Sequence, residues 1–292
     1  MEIGITEPDS RPLGHAARRE NLRAANVLSV VVAVLAAAVS VVGLRFPGLY
    51  PHDWGNGTSL GNDMVTLVVA VPVLALAIIY SARGSVRARL LWLGALGYML
   101  YNYAFYVFGI PVTKLYVPWV AVFVFSGLAF VLGMSNLDVE PIAGGFSSRT
   151  PARWIAGYLI FAATMICNLW ISQWVKFLST GRVPEVNGSQ EAYKVIASID
   201  LSFAVPLLIA AALGLWRRRP WGYVLGVVAL VQFAMYFAVM GTVCVIGWKL
   251  TPGSQLFSGW FINCIVTLPL LLLCLAGLLL NLKGYTFPRR CG

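Results

Sequence analysis

The chain has 292 residues, 59% of them hydrophobic and only 11% charged, with a formal net charge of +10. A soluble domain carries about 25% charged residues, so this composition excludes one, and the basic residues are too dispersed for a nucleic-acid-binding patch. Eight stretches reach the roughly 20 apolar residues that a membrane-spanning helix needs, and the expected fold class is all-α, a polytopic transmembrane helix bundle.

Residues 1–24 form a polar tail containing Pro8 and Pro12, and its opening from Met1 to Asn21 reads as disordered or surface-lying. The first span, 25–44, is long enough to cross and has no small-x-small cleavage pattern behind it, so it is kept as a span rather than a secretory signal. A Gly/Pro/Asn-rich loop from Arg45 to Asn62, holding Asp53, leads to spans at 64–82, 90–110 and 117–137. These complete a first four-helix half, 25–137. A linker at 138–151, with Pro141, Gly144 and Gly145, separates it from a second half at 152–282, with spans at 152–175, 199–216, 221–247 and 257–281. Helix six is expected to begin ahead of its membrane stretch, from Gln190, and residues 283–292 form a short tail.

Two stretches repeat the same order. Asp63 to Gly94 runs acid, apolar turns, Pro72, more apolar turns, then Arg83, Arg87, Arg89 and Trp92. Asp200 to Gly226 runs acid, Pro206, Arg217 to Arg219 and Trp221, with the same interval between proline and first arginine. The pattern predicts a tandem 4+4 repeat with parallel halves.

Arginines cluster before span one, between spans two and three, four and five, and six and seven, and after span eight. Positive charge collects on the cytoplasmic side, so both termini are expected to be cytoplasmic in a cell (plasma) membrane protein. Anionic lipid headgroups are then the natural partner of the basic ends, nucleic acid is not a partner, and no protein partner is readable.

Measured from the arginines at about 1.5 Å per residue, the polar residues of the spans fall in the half opposite those arginines. They are Tyr98, Tyr101, Asn102 and Tyr106 on span three, Asn168 and Gln173 on span five, Gln232 and Tyr236 on span seven, and Asn263 on span eight. Polar side chains in a bilayer face the bundle interior or water. The span-three group, with Phe105, is expected to form one strip that meets Gln232 and Tyr236 in an outward-facing aromatic and polar pocket, with Asp63 and Asp200 near its rim. Such a pocket suits an amphiphilic or lipid-like small molecule. If it is catalytic, Asp53, Asp63 or Asp200 supplies the acid or base, because burial moves a carboxyl toward working pH.

Each assignment has a plainer counterpart. The tyrosines can be helix packing, and Trp119, Trp174, Trp248 and Trp260 belong to the interfacial belt. Asp63, after Asn62, can be an N-cap. At the level of the whole chain, a small-molecule transporter with parallel repeats and an accessory subunit of a membrane complex stand as alternatives to the binding pocket.

Five scattered cysteines make no CxxC, and Cys244 and Cys264 can pair only if spans seven and eight touch. His15 and His52, the two histidines, lie outside the spans, so neither haem nor a metal site is expected, and no cofactor is called for. Walker, HExxH, GxSxG and DDxxD patterns are missing, as is a conjugating lysine in span seven or eight. The run from Asp200 through RRRPWGY to Tyr223, and LGYMLYNYAFYVFG from Leu96 to Gly109, resemble uncharacterised bacterial multi-pass membrane proteins. The resemblance covers roughly half of the chain and implies no activity.

Overall fold

Apolar side chains in lipid leave the backbone no outside partner, so each long apolar run must close its own hydrogen bonds as a helix. The computed structural model describes residues 11–50, 56–186, 189–250 and 255–283, and it is helical throughout the long apolar runs. The order is α1 (Arg11–Arg45), α2 (Asn56–Val65), a π-helical segment (Thr66–Ala70), α3 (Val71–Ala82), α4 (Val86–Gly109), α5 (Tyr116–Ser135), α6 (Val139–Gly144) and α7 (Ala152–Thr180). Then follow α8 (Gln190–Ile199), a second π segment (Asp200–Ala204), α9 (Val205–Trp216), α10 (Pro220–Leu250) and α11 (Gln255–Leu279).

Among the described residues, seven helices are long and apolar enough to cross a membrane: Glu20–Arg45, Thr58–Ala82, Tyr116–Ser135, Ala152–Thr180, Gln190–Trp216, Pro220–Lys249 and Trp260–Leu279. They support a polytopic helical membrane protein. The remaining expected span, 90–110, is α4. Its 24 residues are about 36 Å long, but its tyrosines and Asn102 keep it out of the apolar set. It is instead the inner strut of the bundle, packed by α3, α5, α8 and α10, and most of its side chains are buried.

The described part of the tail, expected to be disordered or surface-lying, is helical from Arg11 and continuous with the first span, and residues 1–10 lie outside the described residues. The N-cap reading of Asp63 fails for a similar reason. Helix α2 starts at Asn56, so Asp63 sits inside a helix and not at its mouth.

Two of the long helices share one construction, each interrupted by a π segment. A ten-residue helix, a five-residue π segment and a twelve-residue helix occur in α2–α3 and again in α8–α9. Proline explains both. Pro72 and Pro206 bring no N–H and crowd the carbonyl one turn back, so the ladder slips by one residue. The Val71 N–H bonds the Thr66 carbonyl and the Val205 N–H bonds that of Asp200. Thr66 and Asp200 thus open equivalent segments, whereas Asp63 lies a turn earlier in α2. The acids matched in the sequence pattern are therefore not equivalent in the structure.

The arginine-bearing end is closed. Helix α6 lays Ile142 against α10, and Phe146 stacks on Tyr223 at 4.5 Å. The linker also ties to the end of α11, through Ser147 N–H to the Asn281 carbonyl at 2.9 Å and Lys283 N–H to the Gly145 carbonyl at 2.8 Å. Arg87 adds a bond from Nε to the Leu282 carbonyl at 3.2 Å. At the turn between α9 and α10, Gly214 and Gly222 touch backbone to backbone, which no side chain would allow.

Candidate functional site

Helix α4 projects its polar residues to two sides. Tyr101 and Tyr106 are five residues apart, about 140° around a helix, so the single strip expected from i, i+3 and i+4 spacing divides. Tyr98, Asn102 and Tyr106 face α2 and the first π segment, where Thr66 Oγ1 lies 3.4 Å from the Tyr98 hydroxyl and accepts from Asn102 Nδ2 at 3.5 Å. Tyr101 faces α8, its π segment and α9, along with Gly97, Leu100 and Ala104.

Asp63 is 2% exposed and is held by two tyrosines. Tyr106 donates to Oδ1 at 3.1 Å, and Tyr50 donates to Oδ2. Tyr50 comes from the segment after α1 and stacks on Trp119 at 6.1 Å, and Trp119 lies 5.0 Å from the Tyr106 ring. Burial pushes the Tyr50 hydroxyl above its ordinary value, and the Asp63 charge adds to this, so it stays a donor. Gly43 on α1 makes room: a Cβ there would run into both Asp63 and the Tyr50 hydroxyl.

Asp200 is equally enclosed, but by different donors. Tyr101 donates to Oδ1, and Trp170 Nε1 donates to Oδ2 at 2.8 Å. Trp170 is fixed in turn by Tyr193, whose hydroxyl donates to the Trp170 carbonyl at 3.2 Å. Tyr236 closes the other flank, edge-on to Tyr101 at 5.6 Å. The hydrogen-bond donors at both carboxyls are thus neutral aromatic side chains.

In front of Tyr101 lies a cavity of about 480 Å³ between α4 and α5 on one side and α8, its π segment and α9 on the other. That is within the roughly 300–1,000 Å³ of small-molecule sites. Phe108, Phe123, Phe130 and Leu100 form its apolar wall, and Lys194, Ser198 and Ser202 run along the opposite edge. Gln232 closes its base, with Oε1 packed against Gly97. Phe108 and Phe203 at its margins are 61% and 63% exposed, so the groove opens sideways out of the bundle.

The expected meeting of Tyr106 and Tyr236 occurs at a second, smaller cavity. With Ser59, Asn62 and Met240 they line a space of about 60 Å³, room for a few waters but not for an amphiphile. Three further candidates stand away from both cavities. Asn168 and Asn263 are exposed, and Gln173 turns back to the Leu169 carbonyl at 3.1 Å. Asn263 accepts from Thr267 of its own helix at 3.2 Å. Asp53 lies outside the described residues.

The reason is face rather than depth. The buried stripe of α7 is Ala152, Ile155, Ala156, Leu159, Ala163 and Trp170, a spacing that puts Trp170 inward and Asn168 outward. The same small-residue stripe was legible in the sequence and could have found Trp170. Cys264, Leu271 and Leu278 mark the inner face of α11 in the same way, leaving Asn263 off it. Tyr50 and Trp119 carried no periodic signal. Trp119, expected in the interfacial belt, is fully buried, whereas Trp174 and Trp248 are each 53% exposed.

Helices α10 and α11 do touch. Cys244 on α10 and Cys264 on α11 are buried in contact, thiol to thiol. Among the described residues, His, Cys, Asp and Glu do not gather in a group able to hold a metal ion.

No protein-family model matches the chain, and comparison with curated proteins and with solved structures finds no match to either.

Proposed function

We propose that this is an eight-span membrane protein, with α4 as the eighth span and two parallel four-helix halves, that binds an amphiphilic, lipid-like molecule in the lateral groove between those halves. The carrying observation is the groove itself: a cavity of about 480 Å³ with a phenylalanine and leucine wall, a hydrophilic edge and a sideways opening. Only a ligand that is itself part apolar and part polar satisfies both edges, since an unpaired polar group in hydrocarbon is costly.

The two matched π-interrupted helices support the repeat, and the arginine distribution supports cytoplasmic termini in a plasma membrane protein. If the groove is catalytic, Asp200 acts on it indirectly, through Tyr101, the cavity-lining hydroxyl that bonds it. Asp63 serves the neighbouring aromatic cluster. A transporter is the second reading, favoured by the two π segments, since such irregularities often mark functional sites and broken helices build transporter sites.

The test is native mass spectrometry and lipid extraction of gently solubilised protein. A stoichiometric lipid that is lost when Ala104→Trp fills the groove supports the site, and an unchanged lipid complement rejects it. Flux of the identified molecule into proteoliposomes separates transport from binding, and turnover lost in Asp200→Asn with binding retained identifies an enzyme.

A further inference from the structure

The groove is asymmetric along its length as well as across it. Lys194, Ser198 and Ser202 follow one another at four-residue spacing on α8 and its π segment, so they form one ladder facing the cavity. The charge is at one end only. From Lys194 the lining runs to Leu207 on α9, opposite Gly97 and Phe130, with aliphatic and aromatic groups at the far end. Thirteen helical residues cover about 20 Å, somewhat more than the ~15 Å depth of one leaflet's hydrocarbon. A single leaflet lipid fits that span with its head at Lys194 and a chain toward Leu207.

The ammonium is available. Among the described residues no hydrogen bond or ion pair of the protein engages Lys194, and no carboxylate lines the cavity. Asp200 is turned away, bonded to Tyr101 and Trp170. Ser202 donates to the Ser198 carbonyl at 2.5 Å, which leaves the exposed Ser198 hydroxyl to donate to a ligand oxygen. The lysine and this hydroxyl together present donors without an acceptor charge, a pattern that selects a negatively charged head.

We infer that the groove's ligand is an anionic phospholipid from the leaflet that Lys194 faces, its headgroup held by Lys194 and Ser198 and one acyl chain lying against Phe108, Phe123 and Phe130. This rests on the groove being a lipid site at all, and the experiment separates the two claims.

Full-length protein in a mild detergent is titrated with phosphatidylglycerol and, separately, phosphatidylcholine of matched chains, with binding read by native mass spectrometry. A basic residue near an anionic lipid contributes about 1 kcal/mol, so phosphatidylglycerol is expected to bind roughly five-fold more tightly. Lys194→Gln should bring the two lipids within about two-fold of each other, with phosphatidylglycerol losing more affinity than phosphatidylcholine. Equal binding of both lipids by the unmodified protein overturns the headgroup inference, as does a preference that survives in Lys194→Gln. The groove reading falls separately if Ala104→Trp, or Ser198→Trp should the first fail to fold, leaves both lipids bound as before.

Discussion

Tyr101 and Tyr106 leave the same helix in different directions, and each hydroxyl donates to a different buried carboxyl: Tyr101 to Asp200 and Tyr106 to Asp63. Helix α4 is therefore the shared wall of two sites. Its Asp63 side is a packed aromatic cluster, and its Asp200 side borders the groove. That division gives the two π-interrupted helices unequal surroundings despite their shared construction.

Each carboxyl has two donors, so single and double removals should differ. Leaving a buried acceptor short of a partner costs about 1–3 kcal/mol. Tyr106→Phe and Tyr50→Phe are each expected to lower the unfolding temperature of the detergent-solubilised protein modestly. The double variant, which strips both donors from Asp63, should fall further than the two single shifts combined. Additive shifts would show that the two hydroxyls do not act on one group.

Gly43 tests the same cluster from the opposite wall. A methyl group at this position meets Tyr50 and Asp63, and overpacking of this kind costs about 1–3 kcal/mol. Gly43→Ala should destabilise the protein, and Gly43→Ala combined with Tyr50→Phe should recover part of the loss because the hydroxyl it strikes is gone. No recovery in the thermal melt would place the strain elsewhere.

The two asparagines make opposite predictions. Asn102→Leu removes the contact with Thr66 at a buried position and should cost about 1–3 kcal/mol. Asn168 points out of the bundle, so Asn168→Leu should leave stability within about 0.5 kcal/mol of the parent. Comparable losses in denaturation of the two variants would mean that the exposed face of α7 is covered by a partner.

Cys244 and Cys264 are placed to be joined. Mild treatment with an oxidised dithiol, which takes up the two hydrogens as its own thiols, should link α10 to α11. Peptide mapping without reductant should recover the Cys244–Cys264 pair, and Cys264→Ser should abolish it. Complete alkylation of both thiols after oxidation would show that the helices do not hold them in register.

How much of this was legible beforehand depends on whether the relevant contact is local. Composition and run length determined an all-helical membrane protein and most helix bounds, because lipid leaves a long apolar chain no other way to satisfy its backbone. Proline placement determined the two irregular segments for an equally local reason. The tyrosines of α4 stand out in the sequence, but a single strip ignores the 140° between Tyr101 and Tyr106. Asn168 and Asn263 were chosen by depth, and depth does not say which way a side chain turns.

What only the tertiary structure decided is which donors meet which acids and where the space lies. Tyr101 and Asp200 are 99 residues apart, and Trp170 reaches Asp200 across a loop and two helices' ends. No periodicity within one helix encodes such a pairing. The groove likewise exists because α4 and α5 stand off from α8 and α9 along one edge, a property of how the helices pack and of no single segment. Local chemistry set the elements, and the long-range packing of those elements set the site.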